Sequence, residues 1–153
     1  MKSYAAAAAL TLAALSLGAC EQRHEMAANP KVCADFKQAK AAPIAPGAEG
    51  AAPVEECVKR WAYSLAGAHD AAGAVAEAAM SACAPQLSRW NQQALSQPGS
   101  DVEANSITTG QPTTPLAEHN AFAASRALFY VVQARAGSCA PPPTTNGVPD
   151  GIS

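Results

Sequence analysis

The hydrophobic positions that follow residue 50 repeat with the period of an α-helix. Between residues 54 and 65 they fall at i, i+3, i+4, i+7, i+8 and i+11, which places them on one side of a helix. Pro53 suits a first helical turn, and Gly67 suits the end of a helix. The positions are Val54, Cys57, Val58, Trp61, Ala62 and Leu65. The pattern therefore predicts an amphipathic helix over roughly residues 54–66.

A second helical pattern covers roughly residues 71–96, with Asp70 as the expected cap. Its apolar face comprises Val75, Ala79, Cys83, Leu87, Trp90 and Ala94. Pro85 interrupts the pattern, because an interior proline removes a helix hydrogen bond and clashes with the preceding turn. We expect either one helix that kinks near residues 81–84 or two helices, the second beginning at Pro85.

A third helix should open at Thr114-Pro115 and end at Gly137-Ser138. It is the most apolar of the three, so we expect it to be central. The face predicted to lie inward comprises Ala121, Ala124, Leu128, Val131 and Val132, widened by Phe122 and Phe129.

Irregular segments separate and flank the predicted helices. Residues 21–32 form a polar tether, and a short helix is expected from Pro30 to Lys40. Residues 41–52 form a linker of mainly Pro, Gly and Ala. Residues 97–114 form a long polar loop, and residues 140–153 form a Pro-rich tail that we expect to be disordered.

Composition limits the size of the core. Hydrophobic residues make up 49% of the 153 residues, but 39 of the residues are Ala. Only 19 of the 134 residues after Ala19 are Leu, Ile, Val or Phe. This excludes a large α/β enzyme, and the net charge of −2 without a basic run excludes a nucleic-acid surface. We predict an all-α fold, a small three-helix bundle made of an αα-hairpin plus one helix.

The amino terminus has the pattern of an export signal. Lys2 precedes an apolar stretch of 14 residues, Tyr4 to Leu17, which is shorter than the roughly 20 residues that span a bilayer. Leu17-Gly18-Ala19-Cys20 follows and resembles the lipobox of bacterial lipoproteins. The resemblance implies cleavage before Cys20, a diacylglycerol on its thiol and an acylated amino group.

Two other interpretations of this segment are cleavage by ordinary signal peptidase after Ala19, which Leu17 disfavours, and a retained membrane helix, which the length disfavours. By resemblance to enteric sorting rules, Glu21 favours the outer membrane, with the protein facing the periplasm. The predicted organisation is a signal peptide at 1–19, an anchor, tether and linker at 20–52, a helical domain at 53–139 and a tail at 140–153. The domain resembles small, Ala-rich exported proteins of unassigned role.

The cysteines are consistent with export. Five are present, and assigning Cys20 to lipid leaves an even number for an oxidising compartment. If the turn between the first two helices centres near residue 70, Cys57 and Cys83 lie at the same level of an antiparallel helix pair. We therefore predict a disulfide between them, and by elimination a second between Cys33 and Cys139.

Sequence motifs of catalysis are missing: there is no HExxH, no GxSxG and no Gly-rich phosphate loop. We predict no cofactor, no metal site and no catalytic residue. The side chains that could line a binding site are Trp61, Trp90, Glu118, His119 and Arg126. Both tryptophans have helical spacing and fit a core as well as an exposed aromatic platform.

Two functional hypotheses follow. The first is a membrane-anchored envelope lipoprotein that is not an enzyme and binds another envelope protein or a cell-wall component. The alternative is a small ligand- or metal-binding protein or enzyme that uses His119 and Glu118 near the 97–114 loop. An exposed aromatic patch would favour the first, and a pocket that gathers His119 with carboxylates would favour the second.

Overall fold

The computed structural model describes residues 28–36, 50–98, 104–106 and 109–152. Within these ranges the chain is mainly helical, with four α-helices where the sequence predicted three. They are α1 (Ala51–Leu65), α2 (Ala72–Ala82), α3 (Ala84–Leu95) and α4 (Pro115–Gly137). None of the helices in these ranges is both long enough and apolar enough to cross a membrane.

Several predicted features lie outside the described residues. They are the signal peptide at 1–19, Cys20, most of the tether and residues 41–49 of the linker. The helix predicted from Pro30 to Lys40 is a single 3₁₀ turn at Pro30–Val32, capped by the Asn29 side chain, which accepts from the Lys31 N–H. Residues 33–36 are not helical, and residues 37–40 lie outside the described ranges.

Helix α1 begins three residues earlier than predicted. Gly50 occupies the N-cap position with a backbone φ of 132°, a conformation that residues other than glycine rarely adopt. The predicted stripe faces inward: Val54, Cys57, Val58 and Ala62 are buried, while Trp61 and Leu65 pack against the core from its margin. Arg60 and Tyr63 are also buried, which the hydrophobic pattern does not indicate.

The second predicted helix is two helices, α2 and α3. Cys83 lies between them with φ −101° and ψ 13°, and its N–H donates to the carbonyl of Met80. Pro85 lies in the first turn of α3, where its missing N–H costs nothing because first-turn donors have no helical partner. The predicted face continues across the break, since Val75, Ala79, Cys83 and Leu87 are all buried. The N-cap of α2 is Ala71 rather than Asp70.

Helix α4 has the predicted ends but not the predicted inner face. The Thr114 side chain accepts from the Ala117 N–H at 3.2 Å, and Ser138 ends the helix in the left-handed conformation. The buried face comprises Ala123, Ala127, Val131 and Ala134. Of the face predicted to lie inward, Val131 is buried, whereas Ala121, Ala124, Leu128 and Val132 are exposed. The side of α4 that packs against the other helices is thus made mainly of alanine.

The predicted polar loop contains a short hairpin. Strand β1 (Ala104–Asn105) pairs antiparallel with β2 (Pro112–Thr113). Ser106 closes the turn, because its N–H donates to the Gln111 carbonyl and its carbonyl accepts from Gly110. Gly110 has a φ of 70°, a conformation that favours glycine.

The tail that was predicted to be disordered folds back onto the helices instead. Strands β3 (Thr144–Thr145) and β4 (Val148–Pro149) form a second antiparallel hairpin. Pro149 is buried, and Ile152 packs against the core. Composition suggested disorder, but it could not show that a buried cation on α1 binds this segment.

That cation is Arg60, whose side chain is 1% exposed. Its Nη1 donates to the Asp150 carbonyl at 2.6 Å, and its Nε donates to Glu56 Oε1 at 2.8 Å. The guanidinium also lies 5.3 Å from the centre of the Phe36 ring. Arg60 thus connects the segment before α1 with the segment after α4, and its charge is balanced by Glu56.

Both predicted disulfides are present in the structure. Cys57–Cys83 joins α1 to the junction of α2 and α3, with 5.8 Å between the Cα atoms. Cys33–Cys139 joins the 3₁₀ turn to the residue after Ser138, with 5.5 Å between the Cα atoms. Gly137 leaves the space for this second bridge, because a Cβ there would meet Cys139 Sγ at 2.5 Å and Cys33 Sγ at 2.7 Å.

We expect Gly137→Ala to lower the free energy of unfolding by about 1–3 kcal/mol, because the added methyl must displace a disulfide that is held at both ends. Gly73→Ala in α2 is the matched control, since nothing lies within 4 Å of its added Cβ. That variant should gain about 0.5 kcal/mol from helix propensity. Urea unfolding without reductant measures both, and equal effects of the same sign would contradict the packing argument.

Arg60→Ala should release the tail. We expect a loss of about 2–3 kcal/mol in unfolding free energy, since two hydrogen bonds of a buried cation disappear. Hydrogen exchange at the Asp150 amide, which donates to the Pro143 carbonyl, should become faster. Lys59→Ala removes the neighbouring ion pair to Glu56 on the surface and should cost less than about 1 kcal/mol. Unchanged exchange at Asp150 in Arg60→Ala would show that the hairpin does not depend on this contact.

Candidate functional site

Two of the predicted site residues lie face to face between α3 and α4. The His119 imidazole stacks on the Trp90 indole with 3.6 Å between ring centres and 13° between ring planes. Phe122, one turn further along α4, meets the same indole edge to face at 5.6 Å. Both His119 and Trp90 are half-buried. Trp90 therefore serves mainly as a packing surface for α4.

The hydrogen bond of His119 fixes its tautomer. Nδ1 lies 2.7 Å from Oδ1 of Asn91, and an amide oxygen can only accept, so Nδ1 carries the proton. Burial lowers the pKa of His119 below its ordinary value of 6.5. The ring is consequently neutral at pH 7. Neither the amide nor the indole takes up or releases a proton near this pH, so these contacts do not form a proton relay.

The Glu55 carboxylate of α1 contacts two side chains on the same side of α4, Arg126 and Tyr130. The Tyr130 hydroxyl donates to Glu55 Oε1 at 2.6 Å, and Arg126 Nε lies 3.4 Å from the same oxygen. The Arg126 guanidinium also lies 5.4 Å from the centre of the Phe122 ring. Burial, followed by the hydrogen bond to Glu55, raises the pKa of Tyr130. The tyrosine is thus a hydrogen-bond donor to a carboxylate, and it stays protonated.

These contacts define an aromatic strip on α4, comprising His119, Phe122, Arg126 and Tyr130. Three of the five predicted binding residues belong to it or touch it: Trp90, His119 and Arg126. The other two lie apart, because Trp61 packs against the core and Glu118 lies half-buried about 100° around the helix from His119. The structure therefore does not pair His119 with Glu118.

Four residues of this region were missed by the sequence analysis: Glu55, Asn91, Phe122 and Tyr130. A signal was available for part of the set, because positions 119, 122, 126 and 130 have helical spacing and share one side of α4. The partners on α1 and α3 had no such signal, since sequence spacing does not show which helices adjoin. The strip is joined to α3 through Asn91 and to α1 through Glu55.

A cleft of about 250 Å³ lies where the carboxyl ends of α1 and α4 meet, beside the Cys33–Cys139 bridge. Its charged lining residue is Arg135, whose side chain is already engaged. Nε donates to the Ala66 carbonyl at 3.0 Å, and Nη2 donates to the carbonyls of Ala68 and Asp70 at 2.9 Å each. Arg135 thus caps the carboxyl end of α1, where free carbonyls favour a cation.

Three exposed large apolar side chains lie together on α4. Leu128, Phe129 and Val132 are 43%, 51% and 49% exposed on α4. Ala121, Ala124 and Ser125 lie beside them and are exposed as well. We call these six residues the α4 outer face. They lie within an arc of about 140° on the side of the helix away from α1, and none of them is charged.

In the described part of the chain, no group of three or more His, Cys, Asp or Glu side chains lies close enough to hold a metal ion. No protein-family model, no curated protein and no solved structure matches this chain.

The lowered pKa of His119 predicts a pH-dependent stability. As pH falls through about 6.5, the unfolded chain takes up a proton that the folded domain does not, so stability falls on the acid side and is retained above this pH. His119→Phe preserves the stacking on Trp90 and removes the titration. We expect this variant to lose less stability than the parent between pH 7.5 and about 5.5 in urea unfolding.

His69→Gln is the control, because His69 is exposed in the turn between α1 and α2. This variant should retain the pH dependence of the parent protein. An equal pH dependence in His119→Phe and the parent would show that His119 does not cause it.

Proposed function

We propose that this chain is a lipid-anchored envelope lipoprotein whose helical domain works by binding rather than by catalysis. One observation carries the proposal: the four cysteines after Cys20 are paired with one another in the structure. The chain has five cysteines, so Cys20 has no other cysteine of its own chain to pair with. It is also the cysteine of the lipobox-like sequence Leu17-Gly18-Ala19-Cys20.

The disulfides support the compartment as well. Disulfides persist in oxidising environments such as the periplasm and are rare in the cytosol. This domain has few large apolar residues and cannot depend on a deep core for its stability. Two disulfides compensate for that, as they do in many small exported proteins. We place the protein in the outer membrane facing the periplasm, with an envelope protein or a cell-wall component as its partner. Two or three acyl chains would hold it firmly.

The geometry favours this proposal over a small enzyme or metal carrier that uses His119 and Glu118. One face of the His119 ring is covered by the Trp90 indole, and its Nδ1 is engaged by the Asn91 amide. A general acid or base must lie within hydrogen-bond reach of the group whose proton it moves, and the group that His119 Nδ1 reaches is an amide rather than a nucleophile. The aromatic strip therefore supports packing between helices more than it supports chemistry.

Cys20→Ser tests the anchor. In a bacterial host that is fed an alkyne-tagged fatty acid, we expect the parent chain to be labelled and recovered with membranes. The variant should carry no label, because serine lacks the thiol that receives the diacylglycerol. In-gel fluorescence and intact mass measure both outcomes.

The matched control is the double variant Cys33→Ser/Cys139→Ser, which also removes cysteine sulfur but leaves Cys20 intact. It should lose a disulfide and retain the fatty-acid label. Label on the Cys20→Ser variant, or a parent amino terminus that is not an acylated Cys20, would refute the lipoprotein assignment.

A further inference from the structure

The α4 outer face carries three large apolar side chains, of which Phe129 meets the Tyr130 ring of the same helix edge to face with 5.2 Å between ring centres. Leu128, Phe129 and Val132 are each exposed by between 43% and 51%. A soluble helix normally turns such residues inward and leaves charged residues outside. On α4 these three large apolar residues lie outside, and Ala123, Ala127 and Ala134 occupy the inner side. These exposed side chains therefore suggest a contact with something other than the described residues.

The chain that leads from Cys20 joins the domain at one end of this face. The Asn29 N–H donates to the carbonyl of Ala136, in the last turn of α4, at 3.2 Å. Val32, which is 37% exposed, lies against Gly137 at the carboxyl end of the same helix. The disulfide Cys33–Cys139 then fixes the segment there. The tether thus joins the domain at the carboxyl end of α4.

The tether is short in comparison with the helix. Seven residues lie between Cys20 and Ala28, and even a fully extended chain over these eight Cα–Cα steps spans no more than about 26–29 Å. The 23 residues of α4 extend over about 35 Å. If Cys20 is held in the bilayer, the domain therefore stays within about one length of α4 from the lipid surface. Such confinement gives the outer face a high effective concentration at the lipid surface.

We propose that the α4 outer face lies in the interfacial region of the bilayer that anchors Cys20. This inference rests on the proposed lipid anchor. Phe, Leu and Val are suited to the boundary between headgroups and acyl chains, and an apolar helix face can lie there in the membrane plane. Adsorption would bury the three exposed side chains without a protein partner.

A second copy of the chain is a weaker occupant. A stable dimer buries about 800 Å² on each partner, and three half-exposed large side chains beside three small ones offer far less apolar area. The tether brings the face to lipid at any protein concentration, whereas a dimer must form by diffusion.

Photo-crosslinking tests the proposal with the lipidated full chain in vesicles. The vesicles contain phosphatidylethanolamine, phosphatidylglycerol and a small fraction of a phospholipid with a diazirine in its acyl chain. Trypsin cuts after Arg126 and Arg135, so the peptide from Ala127 to Arg135 contains Leu128, Phe129 and Val132. We expect lipid adducts on this peptide after illumination.

The triple variant Leu128→Gln/Phe129→Gln/Val132→Gln should reduce these adducts by at least about fivefold, because the face loses its affinity for the interface. Leu95→Gln is the control, since Leu95 is 55% exposed on α3 and lies off the outer face. It should retain the adducts. Circular dichroism and non-reducing mass spectrometry show whether each variant keeps its fold and both disulfides.

The same digest reports the anchor separately. An acylated Cys20 peptide without adducts on the Ala127–Arg135 peptide would overturn the inference and leave the proposed function standing. A Cys20 peptide without lipid would overturn both. A dimer in analytical ultracentrifugation that the triple variant dissociates would assign the face to a second copy. Adducts that persist in a folded triple variant would show that the three side chains do not direct the contact.

Discussion

The packing of α4 against α1 and α2 is the interaction on which the rest of the structure depends. Ala123, Ala127, Val131 and Ala134 are the residues of α4 that are buried there. Alanine contributes little area per residue, so the stabilisation depends on the larger residues of the other helices that fill the remaining space. Val54, Val58 and Ala62 supply that surface on α1 and are 0% exposed. A core of this kind is thin, and the fold adds two covalent bridges and a buried cation at its margins.

The margins are where the ends of the domain are held. Cys33–Cys139 and Tyr63 both connect the segment before α1 to α4: the Tyr63 hydroxyl accepts from the Ala34 N–H and donates to Gln133, both at 3.0 Å. Arg60 does the same for the segment after α4. Tyr63 and Arg60 are side chains of α1 that satisfy backbone groups of the irregular segments. These contacts add to the hydrogen bonds within the 3₁₀ turn and the second hairpin.

How much of this could be read from the sequence depends on the kind of signal. Helical spacing located α1 and the ends of α4, and the level of Cys57 and Cys83 in an antiparallel pair was enough to pair them. Pro85 marked the break, but spacing alone did not distinguish a kink from two helices. The inner face of α4 was assigned to Leu128 and Val132 because large apolar residues were assumed to seek the core. That assumption fails here, because alanines occupy most of the buried side of α4.

The tail and the site show a second limit. Residues 140–152 are rich in proline and looked disordered, yet Arg60 Nη1 binds the Asp150 carbonyl, and Gly151 with a φ of 83° leaves room for the guanidinium. Likewise, Asn91 and Glu55 act on α4 from other helices, and their proximity follows from the packing of α1 and α3 rather than from the order of the residues. Contacts between elements remain hidden until the elements are placed.

The point at which the tether joins the domain indicates which side of the domain would face the membrane. Because Cys33–Cys139 holds the 3₁₀ turn against the end of α4, a pull on residue 28 acts on the carboxyl end of that helix and not on the hairpins. With Cys20 in the bilayer, α4 would be the helix nearest the lipid, and α1 would lie behind it. An envelope partner would then meet the domain from the side of α1, α2 and α3. The alanine face of α4 would thus have two consequences: it allows a thin core, and it turns the larger side chains toward the membrane.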